Sequence, residues 1–216
     1  MNKILGKSLH SPAMIAVLAA QFFSALADNA VLIVAIALVR SNGAAGSVPL
    51  LQEAFVVPFL LLAPFAGPLA DGFPKGRIML LTNLLKFFGA AAMTAGLNPV
   101  IAYGMIGIGA TLYSPAKYGI LTQLVEPERL VQANGMLEGS TIAAILLGVL
   151  MGGWLTDHAI SWAFAGVIAS YLVAAVANLF IPRLEPERAI KSIRPRVLTA
   201  DFVTSLRTLF SNPGAR

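Results

Sequence analysis

The sequence contains no cysteine and only two histidines in 216 residues. The first absence excludes disulfides, catalytic thiolates and cysteine-ligated metals. His10 and His158 are separated by most of the chain and lie outside its apolar blocks, so they do not read as a metal pair. Aspartate is sparse as well: only Asp71 occurs between Asp28 and Asp157. A membrane enzyme of phospholipid metabolism, such as a phosphatidyltransferase, needs clustered aspartates holding divalent metal. That arrangement is absent, and the sequence points to no catalytic residues, no metal and no cofactor. Charge of either sign is scarce too, at 12% of residues, against about 25% in soluble domains.

Apolar residues, in contrast, make up 57% of the chain, with a mean hydropathy of +0.80. They fall in six blocks, each near the ~20 residues a helix needs to cross the hydrocarbon core. The expectation is an all-α membrane protein with helices over about 13–39, 51–70, 78–97, 100–124, 132–156 and 159–181. Ser11-Pro12 is a helix-start pair, and Asn98-Pro99 is a very short hairpin between the third and fourth helices. Pro58, Pro64 and Pro68 fall inside the second block, where membrane helices tolerate proline. The first block is too long for a signal-peptide core and carries Asp28, so no cleavable leader is expected. Residues 1–181 form the expected six-helix bundle. Residues 182–216 read as a charged, proline-bearing linker, with Phe202, Leu206 and Phe210 at the spacing of a short interfacial helix.

The formal net charge of +5 does not indicate nucleic acid, because the basic residues follow a topological pattern. Lys3 and Lys7 precede the first helix, Lys75 and Arg77 lie in the second loop, and Arg129 lies in the fourth. Arg183, Arg188, Lys191, Arg194 and Arg196 follow the sixth helix. The loops on the other side offer only Arg40. Both ends are expected on the cytoplasmic side, and Trp154 and Trp162 flank a short outer loop as interfacial tryptophans do.

Ionisable groups inside membrane helices are costly and mark pathways or buried pairs. Here they are Asp28, Lys86, Lys117 and Glu138. At 1.5 Å per residue, Asp28 lies about 3 Å from the middle of helix 1 and Lys86 near the middle of helix 3. Lys117 and Glu138 both fall about 10 Å toward the cytoplasm. Matched depths predict two pairs, Asp28 with Lys86 and Lys117 with Glu138. Gln21, Ser24 and Asp28 share one face of helix 1 beside Asn29; Asn134, Glu138 and Thr141 repeat that spacing on helix 5; Tyr113 and Lys117 are one turn apart on helix 4. The same charges serve helix packing if they only neutralise each other, and for Glu138 the two readings balance. Gly148-xxx-Gly152-Gly153 and Ala63-xxx-Gly67 are expected to let helices approach closely.

The stretch Gly67-Pro68-Leu69-Ala70-Asp71-Gly72-Phe73-Pro74-Lys75-Gly76-Arg77 resembles the cytoplasmic loop signature of the major facilitator superfamily, G-x-L-A-D-x-x-G-[RK]-[RK]. Three further stretches are more specific. Ala20-Gln21-Phe22-Phe23-Ser24-Ala25-Leu26-Ala27-Asp28-Asn29-Ala30 lies in helix 1, and Tyr113-Ser114-Pro115-Ala116-Lys117-Tyr118-Gly119 lies in helix 4. The third runs from Ala133-Asn134-Gly135 through Glu138 to Gly148 in helix 5. Together they resemble the bacterial lysophospholipid transporter family of that superfamily. The resemblance implies two six-helix halves, each of two inverted three-helix repeats, of which this chain is the N-terminal half and needs a C-terminal half as partner. It also implies movement of lysophosphatidylethanolamine and related lysolipids across the bacterial inner membrane. There an acyltransferase–acyl carrier protein synthetase reacylates them at the cytoplasmic leaflet. On depth, spacing and charge sign, Asp28, Asn29, Gln21, Ser24, Tyr113, Lys117, Tyr118 and Glu138 are the expected substrate-binding residues. Gly67, Asp71, Lys75, Arg77, Lys86, Gly148 and Gly152 are the expected structural or gating residues. A drug or small-solute permease of the same superfamily is the alternative.

Overall fold

A computed structural model describes residues 8–186. They form α1 (Pro12–Ser41), α2 (Val48–Gly72), α3 (Lys75–Thr94), α4 (Pro99–Leu124), α5 (Leu130–His158) and α6 (Ile160–Leu179). The interfacial helix expected over 201–210 and most of the linker lie outside the described residues.

The helix starts follow local chemistry. Ser11 Oγ accepts the Met14 N–H at 3.2 Å, and Asn98 Oδ1 accepts the Val100 N–H at 2.9 Å. In both helices the first residue is a proline, whose missing N–H costs nothing there. α2 runs unbroken through its three internal prolines. α3 is displaced from the expected 78–97: it ends at Thr94 because Gly96 takes a φ of +93° that only glycine adopts easily. At its other end it begins at Lys75, which sequence reasoning had placed in a polar surface loop. Lys75 is instead 1% exposed. Its stem crosses α4 where Gly119 has no side chain, and its ammonium lies 3.7 Å from Asp71.

α1 packs on α5 and α6, α4 packs on α2 and α3, and α3 meets α6. Exchanging helices 1, 2, 3 with 4, 5, 6 maps this set of neighbours onto itself. Successive helices alternate in direction, so α1 and α4 run oppositely, as an inverted pair of three-helix repeats requires. Two apolar cores occupy the two ends of the bundle. One holds Met14, Val17, Met79, Ile120, Leu121 and Leu137; the other holds Val31, Val34, Leu51, Ile106, Val167 and Tyr171. Between them lies a polar layer of Ser24, Thr82, Asn83 and Lys86, all buried.

Leu60, Leu61, Phe88, Leu146, Leu150, Leu172 and Phe180 are exposed around the outside. An apolar belt of that extent is untenable in water, and the chain is a multi-pass membrane protein. α1, α2, α5 and α6 are apolar enough to cross on composition alone. α3 falls short because it carries Thr82, Asn83 and Lys86 of the polar layer, and α4 because glycines, tyrosines and prolines dilute its apolar residues. With 20 and 26 residues, they still reach about 30 and 39 Å.

Glycine packing corrects one expectation and supports another. A Cβ at Gly148 would run into the Leu26 carbonyl oxygen, and one at Gly152 would lie 3.0 Å from the Ala30 Cα. This is where α5 seats on α1. A Cβ at Gly67 would meet nothing within 4 Å among the described residues. Gly107, which sequence reasoning passed over, makes the α4–α2 contact: a Cβ there would lie 2.6 Å from the Phe55 carbonyl oxygen. Gly148→Leu is expected to lower the thermal midpoint of the detergent-solubilised chain, at about 1–3 kcal/mol, while Gly67→Leu leaves it unchanged. Equal losses from the two substitutions would contradict this packing.

Candidate functional site

A cavity of about 740 Å³ opens between α1, α2, α4 and α5, and Lys86 of α3 reaches its floor. That volume suits a small amphiphile. Its lining mixes apolar side chains, among them Leu32, Phe55, Val56, Phe59 and Ile145, with the polar and charged Asp28, Asn29, Lys86, Tyr113 and Lys117.

The floor is a hydrogen-bonded network. Lys86 Nζ donates to Asp28 Oδ2 at 2.8 Å and to Ser24 Oγ at 3.0 Å. Ser24 in turn donates to Asn83 Oδ1 at 2.8 Å, and the Tyr171 hydroxyl donates to Asp28 Oδ1 at 2.7 Å. Both carboxylate oxygens therefore have a donor. The ammonium also sits 5.0 Å from the Tyr113 ring centroid and 5.9 Å from that of Tyr171, where cation–π attraction adds to the ion pair. The Lys86 stem passes α4 at Gly109, where a Cβ would lie 2.7 Å from its Cγ. The two charges are not equally hidden: the Lys86 side chain is 1% exposed and that of Asp28 19%. It is the carboxylate that looks into the cavity.

The second pair is looser. Lys117 Nζ lies 3.9 Å from Glu138 Oε1, beyond hydrogen-bond length. That same oxygen accepts the Tyr118 hydroxyl at 2.7 Å, and the ammonium stands 4.6 Å from the Tyr118 ring centroid. Glu138 is 46% exposed and Lys117 11%; with the carboxylate in water and the separation at 3.9 Å, the pair is expected to couple by less than about 1 kcal/mol in a double-mutant cycle of charge reversals. A coupling above about 2 kcal/mol would show a tight pair instead.

The structure thus brings Gln21, Ser24, Asp28, Asn29, Tyr113 and Lys117 to one cavity wall, together with Lys86. Tyr118 and Glu138 do not line it; they stand beside Lys117. Gln21 Nε2 donates to Thr141 Oγ1 at 2.8 Å and so ties α1 to α5. Asn29 and Asn134 turn their amide donors onto their own helices, to the Ala25 and Leu130 carbonyls. Sequence reasoning missed Asn83, Tyr103 and Tyr171. Asn83 lies one turn before Lys86, and Tyr171 stands at the middle of α6, at the depth of Asp28. The depth arithmetic, extended to uncharged polar side chains, would have found both.

Residues 17–215 match the Major Facilitator Superfamily profile. The lysophospholipid transporter LplT of Yersinia pestis (strain Pestoides F) is 49% identical over 211 residues, covering 97% of this chain and 52% of its own length. The protein of the same name from Yersinia pseudotuberculosis serotype O:3 (strain YPIII) matches to the same extent. The chain spans about half the length of the curated relatives it matches.

Proposed function

We propose a transport function from one premise: this chain belongs to the major facilitator superfamily. It is the N-terminal half of a lysophospholipid transporter that works by alternating access in the bacterial inner membrane, with a C-terminal half completing the cavity. The supporting observation is the cavity itself, whose lining combines apolar side chains with charges of both signs. A lysolipid has the same division, one acyl chain and a zwitterionic head. The relatives' names supply the substrate class. Phe55, Val56 and Phe59 line a path for the chain, Asp28 attracts the ammonium end of the head group, and Lys117 attracts the phosphate. Lysophosphatidylethanolamine delivered to the cytoplasmic leaflet is then available for reacylation by an acyltransferase–acyl carrier protein synthetase.

The test joins this chain to the second half of the Yersinia pestis relative and follows uptake of labelled lysophosphatidylethanolamine by spheroplasts. Uptake is expected from the joined protein and not from this chain alone. Export of cationic drugs without lysolipid uptake would favour the other permease reading.

The orientation is tested separately. The chain has no cysteine of its own, so single cysteines report without background. Cysteines at Ala44 and His158 are expected to react with an impermeant maleimide from outside, and one at Arg77 only after permeabilisation. Arg77 suits an inner probe because it is exposed, whereas the nearby Lys75 is buried. Outside labelling at Arg77 would overturn the topology.

A further inference from the structure

A crevice of about 200 Å³ lies between the start of α3 and the end of α6, lined by Gly76, Arg77, Asn178, Ile181 and Arg183. The main cavity is built on α1, α2, α4 and α5, so this crevice is on the far side of the bundle, at the end where α1 begins. Three observations point to an occupant. Arg77 and Arg183 are exposed, and neither has an ion-pair partner among the described residues. Asn178 is 3% exposed, yet both its amide nitrogen and its amide oxygen lack a hydrogen-bond partner among the described residues. A buried amide with both ends unmet is costly. α3 has no side-chain cap, and the N–H groups of Arg77 and Ile78 both turn back to the Pro74 carbonyl. The Gly76 N–H, one residue earlier, has no acceptor within the helix.

These groups match one chemistry. Two guanidinium groups and a helix N-terminus call for an anion with several oxygens. The carbonyl groups at the end of α6 oppose this only in part, since the Phe180 and Ile181 N–H groups already bond to Ala177 and Asn178. The Asn178 amide calls for an acceptor and a donor side by side. Phe73, Leu179 and Phe180 are exposed next to the crevice, so whatever sits there has apolar surface at hand. We propose that the crevice binds the head group of a glycerophospholipid of the surrounding leaflet. The phosphodiester lies on Arg77, Arg183 and the Gly76 N–H. A head-group hydroxyl or ammonium reaches the Asn178 oxygen, and the acyl chains lie against Leu179 and Phe180. The lipid is a lateral ligand that clasps α3 to α6 and is not the transported molecule.

The experiment is native mass spectrometry of the 216-residue chain in non-ionic detergent, titrated with dioleoylphosphatidylglycerol. One lipid is expected to remain on the wild-type chain at collision energies that strip the others. Arg77→Gln combined with Arg183→Gln is expected to weaken its retention about tenfold or more, as loss of charge-assisted hydrogen bonds implies. Asn178→Leu weakens it less. Arg129→Gln, which changes an arginine elsewhere on the same end, leaves it unchanged, and dioleoylglycerol, which lacks the phosphate, is not retained. Wild-type retention by the double variant, with the variant's thermal midpoint preserved, overturns the proposal. So does displacement of the lipid by millimolar inorganic phosphate, which would make this a site for the free ion. Retention that appears only after removal of residues 187–216 would make the chain's own tail the occupant and equally overturn it.

Discussion

Asp28→Ala is expected to abolish lysolipid uptake and to destabilise the bundle at the same time. The second effect follows from the floor network. Lys86 is 1% exposed, and its counter-charge is the Asp28 carboxylate 2.8 Å away. Removing one partner of a buried pair leaves the other buried with its charge uncompensated, at about 3–5 kcal/mol. Tyr171→Phe removes a single charge-assisted hydrogen bond to the same carboxylate and is expected to cost less, about 1.5–3 kcal/mol. The two roles of Asp28 separate in the double variant Asp28→Ala with Lys86→Met. Neither charge is then left alone, so the thermal midpoint should return most of the way to wild type. Uptake of labelled lysophosphatidylethanolamine, measured in the joined protein and normalised to protein in the membrane, should remain absent. Recovered uptake in the double variant would leave Asp28 with neutralisation of Lys86 as its only task. Wild-type uptake by the single variant would exclude any essential role for the carboxylate.

The pairing that makes this prediction possible was legible in the sequence, for a physical reason. A helix in a membrane has a fixed rise, so residue number converts to depth, and unpaired charge at mid-depth is too costly to ignore. Asp28 and Lys86 had to meet, and they do. The same arithmetic matched Lys117 with Glu138, but depth says nothing about rotation around the helix axis. Tyr118 takes the Glu138 oxygen, and the pair stays at 3.9 Å. Rotation is also why one small-residue stripe packs against a helix among the described residues and the other does not. Gly148 and Ala63-xxx-Gly67 have the same spacing signal, yet only Gly148 faces a neighbouring helix. Lys75 escaped because a long stem can bury itself wherever a facing glycine leaves room, and Gly119 is 44 residues further along the chain. Six helices, their order and their polar centre follow from one-dimensional patterns. Which face each turns inward depends on side-chain fit between helices distant in sequence.

Lys117→Gln is expected to separate cleanly from Asp28→Ala, because its loss should affect transport and not stability. Lys117 lines the cavity, and its ammonium is held by the face of the Tyr118 ring and by a carboxylate at 3.9 Å that is itself half exposed. Removing the charge leaves Glu138 hydrogen-bonded to Tyr118 and in contact with water, so the change in stability should stay within about 1 kcal/mol. The phosphate of a lysolipid offers Lys117 a shorter and more strongly charged partner than Glu138 does. If that contact forms, its loss should reduce uptake of lysophosphatidylethanolamine by about tenfold or more. It should also erase discrimination: monoacylglycerol, which lacks phosphate, is expected to compete poorly for the wild type, and Lys117→Gln to treat the two amphiphiles alike. The measurement is competition by unlabelled monoacylglycerol against labelled lysophosphatidylethanolamine in the joined protein, for wild type and variant. A variant that keeps full preference for the phosphate-bearing lipid would move phosphate recognition away from Lys117, to Lys86 or to the C-terminal half. Lys117→Arg keeps the charge and is expected to retain most of the uptake, which distinguishes loss of the positive group from loss of its shape.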